Sequence, residues 1–152
     1  VLSTLHTNDA PQTLNRLLQM GIPAFNVVSA VNLIMAQRLG RRLCVHCKKQ
    51  VTFPDKVLLS AGFKQQELDE GLTLYAPVGC DLCTNGYKGR VGVYQVMKMT
   101  EKLQTVILNG GNSADIAACA LEEGFNDLRR SGLNKVKMGL TSLEEIDRIT
   151  KE

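Results

Sequence analysis

Two cysteine pairs with identical spacing constrain this chain more than any other feature. Cys44 and Cys47 form one C-x2-C knuckle and Cys80 and Cys83 the other, with 32 residues between them. Each pair lies in a polar, turn-like setting, with Lys48-Lys49 after the first and Thr84-Asn85-Gly86 after the second. A C-x2-C turn presents both sulfurs from one backbone loop, and two such loops offer four thiolates at the corners of a tetrahedron, the arrangement Zn2+ accepts in closed structural sites. Two pairs of one spacing, with no secretory signal, favour zinc over a redox dithiol or a disulfide framework. His46 lies inside the first knuckle, but four cysteines already close a four-coordinate site. A closed site leaves no position for water, so the metal is expected to fold the segment and not to do chemistry. The fifth cysteine, Cys119, falls in an apolar helical run and reads as a buried, inert thiol.

The chain has 152 residues, room for one good-sized domain or two small ones. Hydrophobic residues make up 44 % of it, but aromatics only 5 %, with no Trp, so any core must be mostly aliphatic. A net charge of +3 is too mild to argue for nucleic acid. No stretch approaches the ~20 apolar residues of a membrane span. The start, Val1-Leu-Ser-Thr-Leu-His6, has neither an initiator Met nor a basic n-region, so the chain reads as a piece of something longer, cut at or within a strand. No G-x4-G-K-[ST] phosphate loop, H-E-x-x-H or G-x-S-x-G occurs, and no acid/base pair stands out.

The periodicity predicts a strand over residues 1–6, then a helix capped by Asp9, with Leu14, Leu17 and Leu18 on one face and Gly21 as its stop. A second, largely buried helix is predicted from Pro23 to about Leu39. One or two short helices should fill residues 54–71, and strands residues 72–78 and 89–97. The rest reads as helical: one helix capped by Thr100 and ended by Asn109-Gly-Gly111, one capped by Ser113, one over residues 127–138, and a last one opened by a Thr141/Glu144 capping box. The fold class is therefore mixed α/β: a fragment of α/β core (residues 1–43), a zinc-pinned tetracysteine module (44–88), and a strand with a terminal helical bundle (89–152).

Two further residues carry candidate chemistry. His6 ends the first predicted strand in a polar run that feeds a capped helix, where α/β folds place ligand-facing residues. It could meet a phosphate or orient a water, although the residues alone favour a surface-turn histidine, with no proton-transfer partner visible. Arg90 follows Gly89 at the opening of a strand; its planar fork suits phosphate, but a solvated or salt-bridged arginine is the stronger reading unaided. The basic cluster over 41–49 admits an alternative, a zinc-ribbon nucleic-acid-binding module. It lacks interleaved aromatics for stacking, so a solvated or subunit-facing surface accounts for it better.

Taken together, Ser3-Thr-Leu-His-Thr-Asn-Asp-Ala10, Ala36-Gln-Arg-Leu39, Arg42-Leu-Cys-Val-His-Cys47, Gly79-Cys-Asp-Leu-Cys83 and Gly86-Tyr-Lys-Gly-Arg-Val-Gly-Val-Tyr94 resemble the C-terminal half of the secretion-traffic ATPases, the motors of type II secretion and type IV pilus assembly. The tail from Gly132 to Ile146 is more similar to the pilus extension motors. The resemblance covers nearly the whole chain. It implies the C-terminal part of a RecA-like P-loop ATPase domain, in a cytoplasmic homohexamer peripheral to the inner membrane. Partners would be the membrane platform protein and regulatory proteins, with no nucleic acid. ATP and Mg2+ would bind the intact protein, whose phosphate loop and acidic boxes would precede Val1; the fragment alone should be inactive. His6 matches the family's His-box histidine near the γ-phosphate, reversing its unaided reading. Arg90 falls in a region near the nucleotide, and the four cysteines match the family's tetracysteine zinc motif. Gln95 stands where the family leads one to expect glutamate, which puts a charge-based role at that position in doubt.

Overall fold

Residues 33–43 depart most from the sequence reading. In the computed structural model, which describes residues 1–151, the predicted long helix stops early. Helix α2 covers only Ala24–Ala30, and strand β1 runs from Leu33 to Leu43 (helix α1 is Ala10–Gln19). Exposure alternates along the start of β1: Leu33 and Met35 face out, Ile34 and Ala36 are buried. A short apolar run fits helix and strand templates alike. Here the choice is made by a distant partner, strand β4 (Tyr87–Lys98), to which β1 is hydrogen-bonded. Met99 N donates to Asn32 O at one end of the pair and Cys44 N to Gly86 O at the other, so the two strands run in opposite directions. The strand predicted over residues 1–6 is not formed. No strand pairs with this segment among the described residues, and Val1 and Leu2 are fully exposed.

The chain divides into two compact units, and both long strands pass from one into the other. The first unit holds residues 1–37 and 94–128. Its helices are α1, α2, α5 (Glu101–Leu108) and α6 (Ser113–Glu122); α1 packs on α2 and α6, and α5 on the same two. Leu14, Leu103, Ile107 and Ile116 form its aliphatic centre, each at most 1 % exposed. Thr100 caps α5 as predicted, accepting from Leu103 N, and its hydroxyl also donates to Glu123. The cap of α6 is Asn112, one residue before the predicted Ser113, in a reciprocal box with Asp115.

The second unit holds residues 38–93 and the chain from Arg129 on. It contains β2 (Lys49–Val51), α3 (Asp55–Ala61), α4 (Gln65–Asp69), β3 (Leu74–Ala76), α7 (Leu128–Lys137, entering from the first unit) and α8 (Leu143–Thr150). Of the four terminal helices, α5 and α6 belong to the first unit, and α7 from Arg129 on and α8 to the second. β2 and β3 pair antiparallel, Gln50 opposite Tyr75. The last helix is capped one residue later than predicted and without a reciprocal box: Ser142 accepts from Glu145 N, while Thr141 turns its hydroxyl to Arg41 O at 2.8 Å. Gly132 of α7 lies so close to α8 that an added Cβ would stand 2.7 Å from Ile146 Cγ2. Gly132→Ala should therefore cost about 1–3 kcal/mol by overpacking, despite alanine's better helix propensity. Urea denaturation reads this directly; a stabilised variant would refute the close approach.

Candidate metal centre

The short β2–β3 ladder sets the geometry of the cysteines. It holds the knuckle before β2 beside the one after β3. The second knuckle is closed by a two-residue turn, Asn85-Gly86, with φ of 51° and 84°; Thr84 and Tyr87 exchange both backbone hydrogen bonds across it. Positive φ at both central residues is the type I′ requirement that Asn-Gly satisfies best. Gly86 is further fixed because a Cβ there would lie 2.5 Å from Pro77 Cβ. Cys44 N donates to Gly86 O at 2.9 Å, which ties the two knuckles together.

The four sulfurs meet as a result. All lie within 4.8 Å of one another, with Cys44–Cys80 at 3.9 Å, Cys47–Cys83 at 3.7 Å and Cys80–Cys83 at 3.6 Å. A tetrahedron with metal–sulfur bonds of about 2.3 Å has an edge of about 3.8 Å. The thiols are thus spaced so that they could hold a metal ion, with little movement on binding. All five cysteines are free thiols. Gly79 N donates to Cys47 Sγ at 3.3 Å, an outer-shell contact that would orient a thiolate. Protons are held unequally in the cluster. Burial opposes ionisation of Cys83 but is outweighed by the backbone at Cys80 and the neighbouring thiols, which draw it down to about 7. The backbone of Leu82 favours the Cys80 thiolate, yet burial and the adjoining thiols push that group up to about 12. Cys119 is buried in the first unit, and burial raises its thiol pKa as an inert cysteine requires.

The other candidates are not drawn into this cluster. His6 is exposed in the segment before α1, and Arg90 is exposed on β4. His46 is exposed at the tip of the first knuckle. The basic cluster is partly engaged internally: Lys48 Nζ donates to Gly139 O at 2.8 Å and stands over the Tyr75 ring, and Arg41 is bound to Glu145. That leaves less of it to follow a nucleic-acid backbone.

The sequence reading did not single out two buried carboxylates. Glu145 is fully buried, and its oxygens accept from Arg41 N, Arg41 Nε and Nη2, and Arg148 Nε and Nη2 over 2.5–2.9 Å. Arg41 in turn lies 4.2 Å from the Tyr87 ring centroid, and Tyr87 Oη meets Ser142 Oγ at 2.7 Å. Glu67 of α4 receives a two-pronged contact from Arg130 and a third from Lys137, both on α7. Arg130 first, then Lys137, holds its carboxyl well below the usual range. Glutamates on helix surfaces read as solvated, so only a partner remote in sequence reveals them.

The profile of the type II/IV secretion system proteins matches residues 1–148. The chain belongs to that family. It is 58 % identical to the type IV pilus assembly ATPase PilB of Pseudomonas aeruginosa, over all of this chain and 27 % of that protein. It is 52 % identical to a protein of the same description from Acinetobacter baylyi, over all of this chain and 26 % of the relative. The type II secretion system protein E of Dickeya dadantii is 38 % identical over the whole chain and 30 % of its own length. The chain thus spans a quarter to a third of the length of these three relatives. Among the described residues no helix is long and apolar enough to cross a membrane.

Proposed function

We propose that this chain is the C-terminal part of a hexameric, RecA-like motor ATPase that drives type IV pilus assembly at the cytoplasmic face of the inner membrane. The observation that carries this reading is that two pilus-assembly relatives stand at 58 % and 52 % over the full chain, well above a secretion relative at 38 %. In the three-part division proposed for the chain, residues 1–43 belong to the ATPase core, 44–88 form the metal module and 89–152 the C-terminal region. The intact protein would bind ATP and Mg2+. Phosphoryl transfer there rests on positioned charge around the phosphates, to which His6 would contribute next to the γ-phosphate and Arg90 from the nucleotide's surroundings. Cys44, Cys47, Cys80 and Cys83 would hold one structural Zn2+, which supplies a cross-link between the knuckles. The intact motor would act on a platform protein of the membrane machine.

The test uses the full-length protein in its own cells. His6→Ala should abolish surface pili and leave secreted enzymes at normal levels; loss of secretion with pili intact would overturn the pilus reading in favour of the secretion motor. Purified residues 1–152 should show no ATP turnover, and measurable hydrolysis would contradict the assignment of the phosphate-binding machinery to other residues.

A further inference from the structure

The first turn of α1 carries donors whose partners can be accounted for one by one. Gln12 N donates to Asp9 Oδ1 at 2.8 Å and Thr13 N to Asp9 O at 3.2 Å, while Pro11 has no N–H. That leaves Ala10 N, in a fully buried residue. It donates at 3.0 Å to Oε1 of Gln95, a residue 85 positions away on β4. Gln95 is 5 % exposed, on the inward face of a strand whose inward neighbours, Val93 and Met97, are apolar and buried. A polar side chain there is costly unless paired, and Ala10 N is a pairing that also satisfies a helix-terminal donor. The chain ahead of α1 is held by the same turn. Thr7 Oγ1 meets Thr13 Oγ1 at 2.7 Å, and Thr13 Oγ1 donates to Asp9 O at 3.0 Å. His6 is joined directly to this folded-back segment.

We infer that Gln95 is a positioning residue: it locks the first turn of α1 onto β4 and thereby fixes the direction in which His6 is presented. The inference rests on the proposed role of His6. It also gives position 95 a task that needs an acceptor oxygen and no charge, so an amide serves where the resemblance leads one to expect a carboxylate. A glutamate would present the same oxygen to the positive end of the helix. Leucine would fill the space and leave the Ala10 N–H buried without a partner.

The experiment compares Gln95→Leu, Gln95→Glu and His6→Ala in the full-length protein, by amide hydrogen exchange over residues 8–14 and by ATP turnover. Gln95→Leu should speed exchange in the first turn of α1 by about tenfold or more, the local cost of an orphaned buried donor. It should also lower kcat by about tenfold with KM within about twofold, as loss of positioning without loss of binding does. Gln95→Glu should restore both. Unchanged exchange in Gln95→Leu would overturn the anchoring. Faster exchange with normal turnover, while His6→Ala is impaired, would overturn the positioning role. Normal turnover in His6→Ala would instead refute the reading of His6, even if the exchange result held.

Discussion

Cys80→Ser is expected to reduce bound zinc from one equivalent per chain to near none and to unfold the knuckles with the short β2–β3 ladder between them. Serine occupies the space of cysteine, but its hydroxyl stays protonated at neutral pH and is a hard ligand, whereas the other three positions are soft thiolates. The remaining sulfurs cannot close a four-coordinate site. The effect should be large at the knuckles because the ladder beside them is short, whereas α4 is held separately by Arg130 and Lys137 on Glu67. β2 and β3 are three residues each, and a two-stranded ladder is marginal alone. Structural zinc in small knuckle-type domains contributes apparent free energies on the order of 10 kcal/mol, several times a typical core substitution.

Metal analysis combined with thermal denaturation in the presence and absence of a chelator checks this. In the parent chain, chelation should lower Tm markedly; in Cys80→Ser it should change little, because the metal is already gone. Equal metal content and equal Tm in the two proteins would sink the structural-metal reading. Cys119→Ser supplies the control. That residue lies in the other unit, so its replacement should leave zinc untouched and cost only what burying a hydroxyl costs.

Local chemistry written in a short stretch of residues was legible. Asp9 and Thr100 cap the helices they precede. The knuckles announced their own turns, because C-x2-C and Asn-Gly each impose a backbone geometry on four residues at most. The β4 alternation also survived. Decisions that depended on residues far away were not legible. Residues 33–39 carry an apolar pattern that fits either period, and β4, some 60 positions on, decides it. Residues 1–6 have strand-like composition, but composition supplies no ladder partner. The one-residue slip at the last helix has the same origin: Thr141 and Ser142 are equally good caps, and Thr141 is taken by Arg41 O. At the candidate metal centre, which cysteines could stand together followed from spacing, whereas the β2–β3 register that brings the pairs together did not.

Glu145→Gln should destabilise the second unit by about 2–4 kcal/mol and flatten the acid limb of its stability curve, the usual result of breaking a buried pair from one side. Burial would raise the pKa of Glu145, but hydrogen bonds from Arg148 and Arg41 outweigh it and bring the carboxyl down to about 2. An unfolded glutamate titrates near ~4.3, so the ionised carboxylate contributes its full stabilisation above that pH and loses it as pH falls through about 2. The shift corresponds to about 3 kcal/mol if undiluted. Arg41 and Arg148 are 45 % and 56 % exposed, so solvent screening brings the expected contribution nearer ~2 kcal/mol. The amide keeps the shape and one acceptor but presents its NH2 to a guanidinium that needs an oxygen. The consequence should reach past α8, because the same arginine stacks on Tyr87, whose hydroxyl bonds Ser142, the residue that caps α8. Urea midpoints measured from pH 7 to pH 2 check both claims. The parent should lose stability progressively below about pH 5 and Glu145→Gln should lose much less, retaining only the shares carried by Glu67 and Asp147. Arg41→Lys should lie between the two, keeping charge but losing the fork and the ring contact. Parallel curves for the parent and Glu145→Gln would show that this carboxylate is not what the acid limb reports.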